Sequence, residues 1–156
     1  IRLTSVPYSH RHELNGCDDI KVGRGHILKK GKDISIVVTN PILTSEVLEA
    51  VEILKGEGIE ATVVATPWIN LIDSDWYSEI LSPSTPLITV ENHFVDNGFG
   101  SQFLSSLAES GALPNSRILR IGLTELPSSG RNEEILMHHR LDFNSLAERF
   151  KSLLFV

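Results

Sequence analysis

Acid–base, metal and anion chemistry each need particular side chains, and in this chain such side chains collect in a few places. Glu91-Asn92-His93 is followed closely by Asn97-Gly98-Phe99-Gly100-Ser101. A histidine there suits a pH-sensitive contact, an interface hydrogen bond or an ordinary loop position. The Gly-x-Gly run stands between a strand and a helix. It can hold an anion on free N–H groups, or simply let two stretches of backbone pack closely. His10, His12 and Cys17 are transition-metal ligand types, but structural zinc sites use more cysteines at fixed spacing, so an exposed polar tail is expected. His138-His139-Arg140 falls where a helix ends, and cations there complement the helix dipole. Asp73 and Asp75 are two residues apart and do not face together on a helix, so they read as helix-start residues rather than a catalytic carboxylate pair. The chain contains no G-x-S-x-G, G-x-x-x-x-G-K-[ST] or G-x-G-x-x-G motif. Gly23-Arg24-Gly25 precedes a strand rather than a helix and cannot form a dinucleotide cradle.

The elements that must position these residues follow from the apolar pattern. With 156 residues, 41% hydrophobic and 22% charged, the chain has the length and composition of one ordinary domain. A net charge of −6 argues against nucleic acid or anionic membrane as a partner. One cysteine excludes an internal disulfide framework and fits a reducing, cytoplasmic setting. Apolar runs are short against the roughly 18 residues of a membrane span, and the first residues lack the apolar stretch of a signal peptide. The chain does not begin with Met, which suggests that it is cut from something longer.

Residues 1–19 are polar and turn-rich, and read as a linker or the tail of a preceding domain. Strands are expected at His26–Leu28, Asp33–Thr39, Ile59–Ala65, Leu87–Val90 and Ile118–Ile121. Helices are expected at Ser45–Lys55, capped by Thr44 with Glu46 near its dipole, and at Ser74–Leu81, Ser101–Ser110, Asn132–His139 and Asn144–Leu154. Glu91–Gly100 is expected to be a loop. Alternating strands and helices imply an α/β domain, with a mostly parallel sheet covered on both faces.

Beyond these patterns, several stretches resemble the C-terminal domain of the transketolase family of thiamine-diphosphate enzymes. Ile20-Lys21-Val22-Gly23-Arg24-Gly25-His26-Ile27-Leu28-Lys29-Lys30-Gly31-Lys32-Asp33 is similar to the family's "I-x-x-G-K-G-x-x-L-x-x-G-x-D". Glu49-Ala50-Val51-Glu52-Ile53-Leu54 with Glu57-Gly58-Ile59 resembles its "E-A-A-x-x-L…x-G-I". Asn70-Leu71-Ile72-Asp73 matches "K-P-L-D" at the apolar and Asp positions. Val90-Glu91-Asn92-His93 with Asn97-Gly98-Phe99-Gly100-Ser101 is similar to "V-E-x-H…G-G-L-G-S". Arg120-Ile121-Gly122, Ser129-Gly130, Glu134-Ile135-Leu136 and Leu141-Asp142 resemble "R-I-G…S-G…E-L-L…L-D", an ending that favours transketolase and deoxyxylulose-phosphate-synthase-like members.

The resemblance covers roughly residues 20–154. It implies a three-layer α/β/α fold, with a mixed five-stranded, mostly parallel sheet whose first strand is antiparallel. Residues 20–156 would form this domain, with residues 1–19 as the linker and tail of a pyrimidine-binding domain. In the intact enzyme, thiamine diphosphate and magnesium would be held by the pyrimidine- and pyrophosphate-binding domains. The family's diphosphate motif and activating Glu are absent from this sequence, so no cofactor is expected on the chain alone. Its expected part is packing of a homodimer and one edge of the cleft, in an enzyme that transfers two-carbon ketol units. Glu91 and His93 would hydrogen-bond at that contact, and Gly98 and Gly100 would allow close approach. Arg2 matches the first Arg of the family's "R-L-x-R", but Ser5 replaces the second, which removes a bidentate phosphate donor. Asn97 replaces the first Gly of "G-G", and Asn tolerates the left-handed backbone region. Two rivals stand beside this reading: a non-catalytic assembly module, and the C-terminal domain of a 2-oxo acid dehydrogenase β subunit.

Overall fold

The computed structural model describes residues 21–154. Five strands, β1 (His26–Lys29), β2 (Ile34–Val38), β3 (Ala61–Ala65), β4 (Leu87–Phe94) and β5 (Ile118–Leu123), form one sheet in the order β1-β3-β2-β4-β5. β1 runs antiparallel to β3, and the other pairs are parallel. The helices are α1 (Pro41–Gly56), α2 (Ser74–Ile80), α3 (Phe99–Glu109), α4 (Asn132–His138) and α5 (Phe143–Leu154).

β2 explains the layering. It is central and wholly buried, and its side chains alternate between faces. Ile34, Ile36 and Val38 join Leu43, Val47 and Leu54 of α1 and Leu146 and Phe150 of α5 in one core. Val37 points the other way, into a second core with Tyr77 of α2 and Phe99, Phe103 and Leu107 of α3. Each such side chain contributes about 1.5–3 kcal/mol on burial, so neither face can be uncovered cheaply. The result is the expected three-layer α/β/α arrangement with an antiparallel first strand. Aromatic edges close the second core: Tyr77 stands nearly perpendicular to Phe103, with ring centres 4.7 Å apart.

Two expectations are corrected here. α1 begins at Pro41, not Ser45, and its cap is Asn40, whose Oδ1 accepts from the Ile42 N–H at 2.9 Å. Proline fits the first helical position because its missing N–H would have no partner there. Thr44 instead donates its hydroxyl to the Asn40 carbonyl at 2.9 Å, from inside the helix. Glu46 is then too deep in α1 to serve its dipole; it accepts from the Phe143 N–H at 2.8 Å and so caps α5. The second correction concerns β4, which continues to Phe94 rather than ending at Val90. Beyond Val90 its pairing with β5 becomes irregular, with Val90 opposite Ile121 and then Phe94 opposite Leu123. Four residues of β4 thus advance against two of β5, which is a bulge.

Candidate functional site

The bulge sits at the C-terminal edge of the sheet, beside the point where the chain order reverses between β2 and β4. Open α/β sheets place ligands and contacts along that edge. Inside the bulge Glu91 turns inward and is 1% exposed, whereas His93 faces outward and is exposed. One therefore faces the core and the other the solvent, and their interaction is electrostatic.

Glu91 caps α3. Its two carboxylate oxygens accept from the Phe99 N–H at 2.7 Å and the Gly100 N–H at 2.9 Å. These donors open α3 and have no partner within the helix. Burial pushes the Glu91 carboxyl above the usual range; the two backbone N–H bonds and the charges of His93 and Arg120 oppose that shift without cancelling it. The glycines follow from the same packing. A Cβ on Gly98 would collide with Glu91 Oε2 and the Phe94 carbonyl, and one on Gly100 with Thr89 Oγ1. The close approach these glycines allow is therefore to the chain's own Glu91, Phe94 and Thr89. Asn97 takes the left-handed conformation its type tolerates, with φ 60°.

Two residues quoted above only for the family resemblance, and not as site candidates, complete the edge. Arg120 of β5 donates from Nη1 to the Val95 carbonyl at 2.7 Å and to Ser101 Oγ at 2.6 Å. Gly122 lies under the bulge, where a Cβ would come within 2.6 Å of the His93 carbonyl. A glycine inside a strand is itself a sign of a bulge or of close backbone approach, so that signal was present in the sequence. A shallow cavity of about 170 Å³ adjoins the edge, lined by Asn40, Ile42, Asn92, Leu123, Pro127 and His139 among others.

The remaining candidates fall elsewhere. Asp73 is the cap of α2, accepting from the Trp76 N–H at 3.1 Å, and its other oxygen meets Arg24 Nε at 2.7 Å. That guanidinium bond, helped by the Trp76 N–H, holds its carboxyl below the usual range. His138 ends α4 and His139 caps it. With Glu125 they bring three possible metal-ligand atoms within 4.8 Å of one another. However, His139 Nε2 accepts from the Ser128 N–H at 3.2 Å. The neutral ring then carries its proton on Nδ1, which faces Glu125 at 3.8 Å. A metal on Nδ1 would make Nε2 a donor against another donor, so this arrangement favours a proton over a metal. His10, His12, Cys17, Arg2 and Ser5, with the linker at 1–19, lie outside the described residues. No helix among the described residues is long and apolar enough to cross a membrane.

Comparison with known proteins agrees with this geometry. Residues 23–146 match the family model described as the transketolase C-terminal domain. A Methanocaldococcus jannaschii protein named as a transketolase C-terminal section is 34% identical over 150 residues, covering 95% of this chain and 44% of its own length. The 1-deoxy-D-xylulose-5-phosphate synthase of Dehalococcoides mccartyi strain BAV1 is 32% identical over 136 residues, which are 86% of this chain and 21% of that enzyme. This chain therefore spans less than half the length of either relative. A solved structure described as a split gene transketolase, inactive beta4 tetramer, superposes with a TM-score of 0.76 at 28% identity, covering 92% of this chain and 46% of that one. A family model matching residues 23–146 and a relative 34% identical across 95% of the sequence leave one conclusion: the chain belongs to the transketolase C-terminal domain family.

Proposed function

We propose that this chain is the C-terminal domain of a transketolase-like enzyme that transfers two-carbon ketol units with thiamine diphosphate and magnesium held elsewhere in the assembly. Its part is to pack a homodimer and to present the His93–Ser101 edge beside the cleft, next to pyrimidine- and pyrophosphate-binding domains. The residues 1–19 then serve as linker and tail of the pyrimidine-binding domain, with Arg2 and Ser5 on the substrate side.

One observation carries the division of labour. Among the described residues, the strand-to-helix glycine turn that could cradle a diphosphate already holds an anion, the carboxylate of Glu91. Its N–H groups have their acceptor, and the glycines leave room only for that carboxylate. The turn does not fit the cofactor, so cofactor chemistry is assigned to other domains. Calorimetric titration of the chain with thiamine diphosphate and magnesium should be flat, and micromolar binding would overturn the proposal.

For the edge itself, His93→Ala in the assembled enzyme should weaken dimerisation or lower turnover by about one hydrogen bond, roughly 1 kcal/mol. In the isolated chain the same change should leave the melting temperature nearly unchanged, because His93 is exposed there. A large stability loss in the isolated chain would sink the interface role. A second reading, the non-catalytic assembly module, gains support from the neighbouring structure described as an inactive tetramer. Supplying a pyrophosphate-binding partner separates the two: activity appears under the first reading and not under the second.

A further inference from the structure

We propose that Arg120 is the positioning residue of the His93–Ser101 edge, pinning both ends of its turn from β5 in place of a strand ladder. The inference rests on the reading of that edge as a contact surface, and it names the group that gives the edge its shape.

Regular pairing between β4 and β5 ends at Val90–Ile121 and resumes only at Phe94–Leu123. Past that point the Val95 N–H donates to the Leu123 carbonyl at 3.0 Å. The chain then turns through Asn97 and enters α3. Two devices hold it. From inside, Glu91 binds the first N–H groups of the helix. From the β5 side, Arg120 Nη1 bridges the Val95 carbonyl and Ser101 Oγ, while Ser101 Oγ itself donates to the Val95 carbonyl at 2.9 Å. These contacts form a closed triangle joining residue 95, where the turn begins, to residue 101, in the first turn of α3. The arginine stem also passes 3.3 Å from where a Cβ on Gly100 would stand. Asp96 is 3.8 Å from Nη2 but 87% exposed, so it adds little. The neutral acceptors hold the geometry.

The side-chain type matters. A guanidinium offers several donors in a fixed plane and stays charged. A lysine keeps the charge but lacks the rigid fork. His93 lies within the irregular stretch, two residues before Val95, so its direction depends on where Val95 is pinned.

The test uses nuclear magnetic resonance on the 156-residue chain with Arg120→Lys, Arg120→Gln and Ser101→Ala. Amide exchange at Val95, Phe99 and Gly100 should rise at least tenfold in both Arg120 variants and less in Ser101→Ala, while β3 amides stay unchanged. The His93 imidazole resonances should move in both Arg120 variants, and lysine should not restore them. Unchanged exchange at these amides, or full restoration by lysine, would overturn the proposal, the latter by showing that charge alone suffices. If an Arg120 variant fails to fold, Ser101→Ala still decides, because it removes one corner of the triangle without touching a charge. The His93→Ala assay in the assembled enzyme is a separate measurement. It can come out silent while Arg120 still holds the turn, in which case the edge loses its contact role and the positioning stands.

Discussion

Asp73 and Glu91 perform the same task in two regions of one sheet edge, and their environments drive them in opposite directions. Each carboxylate caps a helix. Asp73 does so from the residue before α2, with part of its side chain in water and Arg24 alongside. Glu91 does so from within β4, seven residues before α3 begins at its cap Gly98, and it is almost wholly buried. The first carboxyl is held below its ordinary range by a guanidinium and the second is pushed above it by burial. A local cap keeps its hydration and gains a partner; a remote cap gives up its hydration and in return ties a strand to a helix.

The comparison breaks most visibly on truncation. Glu91→Ala leaves the buried N–H groups of Phe99 and Gly100 without acceptors. At about 1–3 kcal/mol for each of the two unsatisfied groups, a loss of about 2–6 kcal/mol is expected in urea unfolding. Asp73→Ala should cost much less, because water reaches the helix end it exposes, and its effect should shrink in high salt. Similar losses for the two variants would mean that Glu91 is not the cap described above.

Acidity sharpens the contrast, with opposite signs. Asp73 is depressed from 3.8, so the stability it provides is present above that value and is lost as pH falls through its lowered folded value. Glu91 is raised from 4.5, so its linked contribution is complete below that value and declines as pH rises toward its raised folded value. In a stability profile, Asp73→Asn should flatten the limb below 3.8, and Glu91→Gln should flatten the decline that begins near 4.5. If Glu91→Gln instead flattens the acid limb, the sign of its shift is wrong.

The same pair shows what was legible in the sequence. Asp73 stands directly before a helical pattern, and a cap of that kind declares itself by position. The five strands and five helices were legible for a related reason: alternation along β2 and the periodic apolar residues of α1 and α5 are local patterns with only one way to be buried. Glu91 could be read as chemically capable, but not as a cap, since its acceptors meet donors eight and nine residues away across a bulge. Arg120 was hidden for the same reason, its partners lying 25 and 19 residues off. Glu46 was assigned to its own helix when it serves another, 97 residues on. What the sequence conceals here is which distant backbone groups a polar side chain must satisfy once apolar packing has fixed the elements.

Asn40 supplies the smallest test and the finest one. It caps α1 as locally as Asp73 caps α2, but without charge and from a left-handed backbone, with φ 79°. Two effects are superposed at that residue. Its carboxamide satisfies the Ile42 N–H, and its backbone sits where a Cβ is unfavourable. Glycine removes the first and relieves the second. Losing a cap to glycine costs only a few tenths of a kcal/mol, and relief of the left-handed backbone is of similar size. Asn40→Gly should therefore shift the unfolding free energy by less than about 0.5 kcal/mol. Alanine loses the cap and keeps the strain, so Asn40→Ala should cost about 2 kcal/mol. A difference between the two variants larger than the roughly 1 kcal/mol that separates alanine from glycine at an ordinary cap would show that the left-handed backbone matters at this helix start. A difference no larger than that would mean that the carboxamide bond alone holds it, making Asn40 a neutral counterpart of Glu91 rather than a residue suited to its backbone.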